Sequence, residues 1–179
     1  MRLTSASAAV FIHRGLMAEC VAWTGRAIAA LDATIKGTRL EMELQACFAS
    51  SLIVTRGNSP TTQAALVRAL DIATLLNTAP MQLYILHALY RWQARSGDFR
   101  GFEELTDRLD NIAKQIADPL ADVTAHGFCA VAYFFTGDNR RVARHAQIAL
   151  TAPVHLSRLN PASFGHLNKV RTYWRITCG

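Results

Sequence analysis

The stretch Arg95-Ser96-Gly97-Asp98-Phe99-Arg100-Gly101-Phe102 separates two long apolar runs, and its Gly-Asp pair decides the fold. Forty residues on, the chain reads Phe135-Thr136-Gly137-Asp138, and forty residues back it reads Arg56-Gly57-Asn58. Glycines at 15, 57, 97 and 137 are spaced by 42, 40 and 40 residues, and after the last three an Asn or Asp follows directly. Self-similarity at such a period is the signature of stacked repeats. Glycine takes the left-handed conformation that ends one helix, and the adjacent Asp or Asn accepts from the free amide groups that begin the next.

Each interval reads as two helices. From Met81 to Ala94 the chain is apolar nearly all round, with Leu83, Ile85, Leu86, Leu89, Tyr90 and Trp92, as expected of a helix packed between layers. After the Gly-Asp turn, Phe102, Leu105, Leu109, Ile112 and Ile116 recur at spacings of three and four and form one stripe. Glu104 with Arg108, and Asp110 with Lys114, lie four residues apart on the other side. Asn77-Thr78-Ala79-Pro80 and Ala117-Asp118-Pro119 mark the breaks between units, since proline disfavours helix in the residue before it. No alternating strand pattern occurs.

These signals predict an all-α chain: a right-handed α-solenoid of antiparallel helix pairs, with a period of about 40 and roughly nine helices, forming a single domain over 1–179. The repeats fall at approximately 1–36, 37–78, 79–118 and 119–151, with a loop at 152–161 and a partial repeat at 162–179. Neither end carries a polar cap, so the chain reads like a segment of a longer solenoid.

Composition bounds the function. The 179 residues are 51% hydrophobic, yet no apolar run reaches the length of a membrane span, and His13 with Arg14 breaks up the only signal-like segment. The charge of +6 comes from 16 Arg and 3 Lys against 13 acids. Only Arg140, Arg141 and Arg144 cluster, without interleaved aromatics, so no direct nucleic-acid contact is expected. Cys20, Cys47, Cys129 and Cys178 are far apart and read as small buried hydrophobes in a reducing cytosol.

"RSGDFRGFEEL" and "FTGDNRRVARHAQIAL" resemble the tetratricopeptide pattern, in which a Gly-Asp-aromatic turn leads into a helix with a small residue about twelve positions after the glycine. Here those positions hold Ala27, Ala69, Leu109 and Ala149. Leu109 and the longer period mark these as divergent repeats. From about residue 19 to the end, "LEMELQACFASSLIVTRG", "LHALYRWQARSGDFRGFEEL", "GFCAVAYFFTGDNRRVARHAQIAL" and "APVHLSRLNPASFGHLNKVR" resemble the carboxy-terminal helical region of bacterial signal-transduction ATPases. Those regulators pair a winged-helix DNA-binding domain with a nucleotide-switch domain. The resemblance implies a cytoplasmic sensor or partner-binding solenoid within transcriptional control. No GxxxxGK[ST] occurs in the chain and no helix-turn-helix precedes the array, so nucleotide and DNA chemistry would reside elsewhere.

No catalytic constellation stands out, and no cofactor is expected. His126 and Cys129 share a helix face at metal-ligand spacing, with His87 or Cys47 as further ligands, but no second recognisable pair accompanies them and no metal is assigned. A metal- or thiol-dependent enzyme is the minority reading, since no oxyanion turn or orienting acid accompanies the thiol. Glu41 with Glu43, and Glu103 with Glu104, read as solvated helix charge. Asp71 reads as a partner for Arg68 or for a neighbouring repeat's arginine.

The binding expectation is residue-specific. Tetratricopeptide geometry places Tyr84, His87, Arg91 and Arg95 on the concave face, where spacings of three, four and four keep them on one side of a helix. Such a set suits an acidic peptide, a carboxylate or a phosphate. Cys47 and Ser51 on one side, and Thr124, Val131 and Phe134 on the other, would form its rim. A protein or peptide partner or a small acidic or phosphorylated ligand is therefore expected. The alternative is a stand-alone adaptor that self-associates through exposed end helices.

Overall fold

The computed structural model describes residues 14–97, 99–116 and 118–152, and every regular element among them is an α-helix. The helices are α1 (Met17–Ala29), α2 (Arg39–Thr55), α3 (Pro60–Leu75), α4 (Ala79–Ser96), α5 (Phe102–Ile116), α6 (Pro119–Thr136) and α7 (Asn139–Thr151). The first 13 residues of the expected repeat at 1–36, the partial repeat at 162–179 and nearly all of the 152–161 loop lie outside the described residues, as do Asp98 and Cys178. No helix among the described residues is long and apolar enough to cross a membrane.

The chain divides between Ser96 and Gly97 into two compact units, so the expected repeat 79–118 gives one helix to each. In the first unit α1 packs on α2, α2 on α3 and α3 on α4, while α2 also touches α4. In the second unit α5 packs on α6 and α6 on α7. There Thr106 meets Tyr133 and Asp110 faces His126, so α5 and α6 run antiparallel.

Stripes spaced three and four apart build both cores. Leu83, Ile85, Leu86 and Tyr90 are buried on α4, and Phe102, Leu105, Leu109 and Ile112 on α5. The positions twelve after each turn glycine, Ala27, Ala69, Leu109 and Ala149, are all buried as well.

The turns explain where these helices stop. Gly137 closes α6 at φ 79°, in the left-handed region that side chains disfavour. The Asp138 carboxylate then accepts from the Arg141 N–H at 3.0 Å and starts α7. At the earlier turn Gly57 also has positive φ, but Asn58 does not cap, contrary to expectation. Ser59 caps α3 by accepting from the Thr62 N–H, because Pro60 at the first helical position sets the start one residue later. Asn58 instead donates to the Trp92 carbonyl and Ser96 Oγ of α4, at 2.6 and 2.7 Å.

The reading of Glu41 as solvated charge is overturned. Glu41 is only 4% exposed. Its two oxygens accept from Arg68 Nε and Nη2, both at 2.8 Å, and Oε2 also accepts from the Gly37 N–H at 2.6 Å. Arg68 therefore serves Glu41, and Asp71 is exposed on the outside of α3. The hydrogen bonds from Arg68 hold the Glu41 carboxyl below its ordinary range, opposed by desolvation and helped by Gly37.

Arg68 is half-exposed, yet removing it strands the buried Glu41 carboxylate, so Arg68→Ala should cost about 2 kcal/mol in urea unfolding. A depressed carboxyl stabilises the fold above its ordinary value of 4.5 and loses that contribution as pH falls through the lower folded-state value. Glu41→Gln should therefore flatten the drop in stability below that range, and an unchanged pH profile would count against the pair.

A Cβ at Gly137 meets nothing within 4 Å, so Gly137→Ala tests conformation alone. It should cost about 1 kcal/mol, as should Asp138→Ala through loss of the cap. Losses of only a few tenths would show that α7 starts without this turn.

Candidate functional site

Helix α4 presents the expected stripe. Tyr84 keeps 41% of its surface in water, while its hydroxyl donates to Ser50 Oγ on α2 at 3.1 Å. Desolvation raises the Tyr84 phenol, and the hydrogen bond to Ser50 partly offsets it. Eleven residues on, Arg95 Nη1 donates to the Ile53 carbonyl at 2.9 Å. That carbonyl lies in the last turn of α2, where helical carbonyls lack partners and a cation is favoured. Tyr84 against Ser50 and Arg95 against Ile53 make α4 run parallel to α2 along this side.

Arg91 lies between them and differs from both. No hydrogen bond or ion pair holds it among the described residues, and the titratable groups acting on it are Arg95 and Tyr84. Burial is the largest cause pushing its guanidinium below the ordinary value, the Arg95 charge comes second, and Tyr84 opposes both. Arg39, Arg68 and Arg141 all have carboxylate partners. His87 is half-buried on the same stripe.

The expected rim residues are divided between the two units. Cys47 is half-buried near Tyr84, and desolvation first, then Cys20 and Glu43, pushes its thiol up to about 12. Ser51 is 0% exposed and its hydroxyl has no partner. Together with Asn58 Oδ1, Trp92 Nε1 and Gln93 Oε1 it makes four unpartnered buried polar atoms among the described residues, all on α2, α4 or the turn after α2. Thr124, Val131 and Phe134 belong to α6 in the other unit. There Val131 is buried and Thr124 donates to the Leu120 carbonyl.

The second unit holds a cluster that the sequence reading missed. His126 of α6 and His145 of α7 bring their Nδ1 atoms to 2.9 Å, with ring centroids 5.0 Å apart. Asp110 of α5 stands behind His126, its Oδ1 3.8 Å from Nε2, and Oδ2 pairs with Lys114 at 2.7 Å. The Tyr133 ring lies 5.4 Å from that of His145, and its hydroxyl shares a hydrogen bond with Thr106 Oγ1 at 3.1 Å. Burial pushes both imidazoles down, His145 to about 4 with the His126 charge as the second cause. Burial thus favours the neutral form of both rings, and the ring that accepts the hydrogen bond must be neutral.

The expected His126 and Cys129 face does not assemble as a ligand pair. His126 turns to His145, whereas the Cys129 thiol faces the Thr106 carbonyl at 3.8 Å, and burial raises its pKa. His87 and Cys47, named as further ligands, belong to the first unit. No group of three or more His, Cys, Asp or Glu able to hold a metal occurs among the described residues.

In comparisons with family models, curated proteins and solved structures, nothing matches this chain.

Desolvated, protonated thiols react slowly with alkylating agents. Iodoacetamide at mildly alkaline pH should leave Cys47 and Cys129 unmodified in the folded protein and label both after denaturation, read by peptide mass spectrometry. Rapid labelling of Cys47 in the native state would show an activated thiol on the α4 side.

Proposed function

We infer that the chain is a non-catalytic helical-repeat module that recognises a partner or ligand carrying carboxylate or phosphate on the exposed stripe of α4. Arg91 carries the reading. A half-buried guanidinium beside a second one, with no acid paired to it among the described residues, is an unfavourable arrangement for the protein alone. An incoming anion relieves both the desolvation and the repulsion, and the planar fork of arginine grips carboxylate or phosphate through two parallel bonds. Tyr84 and His87 lie beside it on the same stripe and add aromatic faces.

An α-solenoid with a period of about 40 residues is the architecture we propose. Its supports are the positive φ at Gly15, Gly57, Gly97 and Gly137, and the way α2 packs on α3 and reaches α4. The proposed setting, a bacterial cytoplasmic regulator of transcription, rests on the sequence resemblance. A self-associating adaptor is the second reading, favoured by Leu75, 80% exposed near Leu76 and Val67 on the outside of α3.

Isothermal titration of the full chain with a glutamate-rich peptide and its phosphorylated counterpart tests the site. Arg91→Glu should weaken binding by at least roughly tenfold with the circular dichroism spectrum unchanged, the worth of one charged hydrogen bond. Arg95→Glu should instead lower thermal stability, because it uncouples α4 from the end of α2. If the wild type ignores both peptides, or Arg91→Glu binds them equally well, the α4 assignment fails.

A further inference from the structure

The three helices of the second unit bring one side chain each to a single line, Asp110 from α5, His126 from α6 and His145 from α7. We propose that His126 and His145 form a two-ligand site for a borderline divalent transition cation, with Asp110 as the positioning residue behind it. The separation supplies the geometry. With metal to nitrogen bonds near 2.0–2.1 Å, two nitrogens 2.9 Å apart subtend about 90° at the ion. That is the angle between neighbouring ligands in tetragonal copper(II) and nickel(II) sites, and it is narrower than tetrahedral zinc prefers.

Asp110 adds an independent indication. Its Oδ1 stands 3.8 Å from His126 Nε2, too far for a direct hydrogen bond, and its negative charge favours the tautomer with the proton on that nitrogen, an arrangement related to the carboxylates behind metal-bound histidines. With the proton of His126 on Nε2, toward Asp110, its Nδ1 lone pair faces His145. Without metal, His145 donates from its own Nδ1. On binding, that proton shifts to His145 Nε2 through solvent, so both lone pairs meet the ion and no net proton is released.

The charge around the pair decides which ions fit. Lys114, Arg141 and Arg144 act on the two rings as cations, against Asp110 and Asp122. This near balance offers little to an ion held by charge alone, such as magnesium or calcium, which also seek oxygen ligands. It leaves affinity to the nitrogen bonds, and imidazole suits copper, nickel and zinc. The His126 side chain is 15% exposed, which leaves the ion's remaining positions to water.

Nickel(II) alone, titrated calorimetrically into the full chain, tests the site. The wild type should take up one equivalent that is weakened at least tenfold by His126→Ala and by His145→Ala, and no further by the double variant. His145→Gln replaces the alanine variant if that one fails to fold, with folding checked by circular dichroism. Asp110→Ala should weaken binding by roughly tenfold while leaving the stoichiometry at one, as an outer partner does. Copper(II) loaded at one equivalent should show coupling to two nitrogens in its electron paramagnetic resonance spectrum. Wild-type protein that binds no nickel, or binds it unchanged after either histidine is replaced, would make the pair a hydrogen bond only and overturn the site. None of these readouts involves Arg91, so the result stands apart from the fate of the α4 face.

Discussion

The burial of seams of alanine between packed helices is the constraint on which the rest depends. Ala65, Ala69 and Ala73 are buried one turn apart along α3, Ala121 and Ala125 along α6, and Ala146 and Ala149 along α7. Side chains this small lose no rotamer entropy on burial and let neighbouring helices pack densely. Between α6 and α7 the chain reverses tightly. At Gly137 it does so with one left-handed residue and one capping carboxylate. The buried Glu41 carboxylate is satisfied within the fold, by Arg68 and the Gly37 N–H among others.

What the sequence showed and what it hid follow one physical line. A helix stripe and a turn are local, so the stripe from Phe102 to Ile112, the Asp138 cap and the break at Asp118-Pro119 could all be read from spacing. Local rules failed where two residues competed or where a partner came from another helix. Asn58 and Ser59 are both capping types, and Pro60 decides between them. Glu41 and Glu43 look alike as neighbours in sequence, but two residues apart on a helix point about 200° apart. One turns inward to Arg68 while the other pairs with Arg39 on the surface.

The candidate site shows the same division. Tyr84, His87, Arg91 and Arg95 share one side of α4, and that much is a matter of period. Which arginine is committed to structure is not, because it depends on where α2 ends. The end of α2 brings the Ile53 carbonyl within reach of Arg95 and leaves Arg91, one turn earlier, without an acceptor among the described residues. The two residues are chemically identical, and the register of a neighbouring helix separates their roles.

The histidine pair extends this argument to the second unit. Cys129 of α6 and Val142 of α7 belong to one buried cluster, which sets the register of the hairpin about Gly137. Three residues back along α6 and three forward along α7, about one turn of each antiparallel helix, lead to His126 and His145. Nineteen residues separate them in sequence, so no spacing rule connects them. The turn glycine and one packed pair are enough to do so, because in an antiparallel hairpin each contact predicts the next one a turn away. The small residues that close the seam near the turn thus also determine which larger side chains must meet farther out along the same two helices.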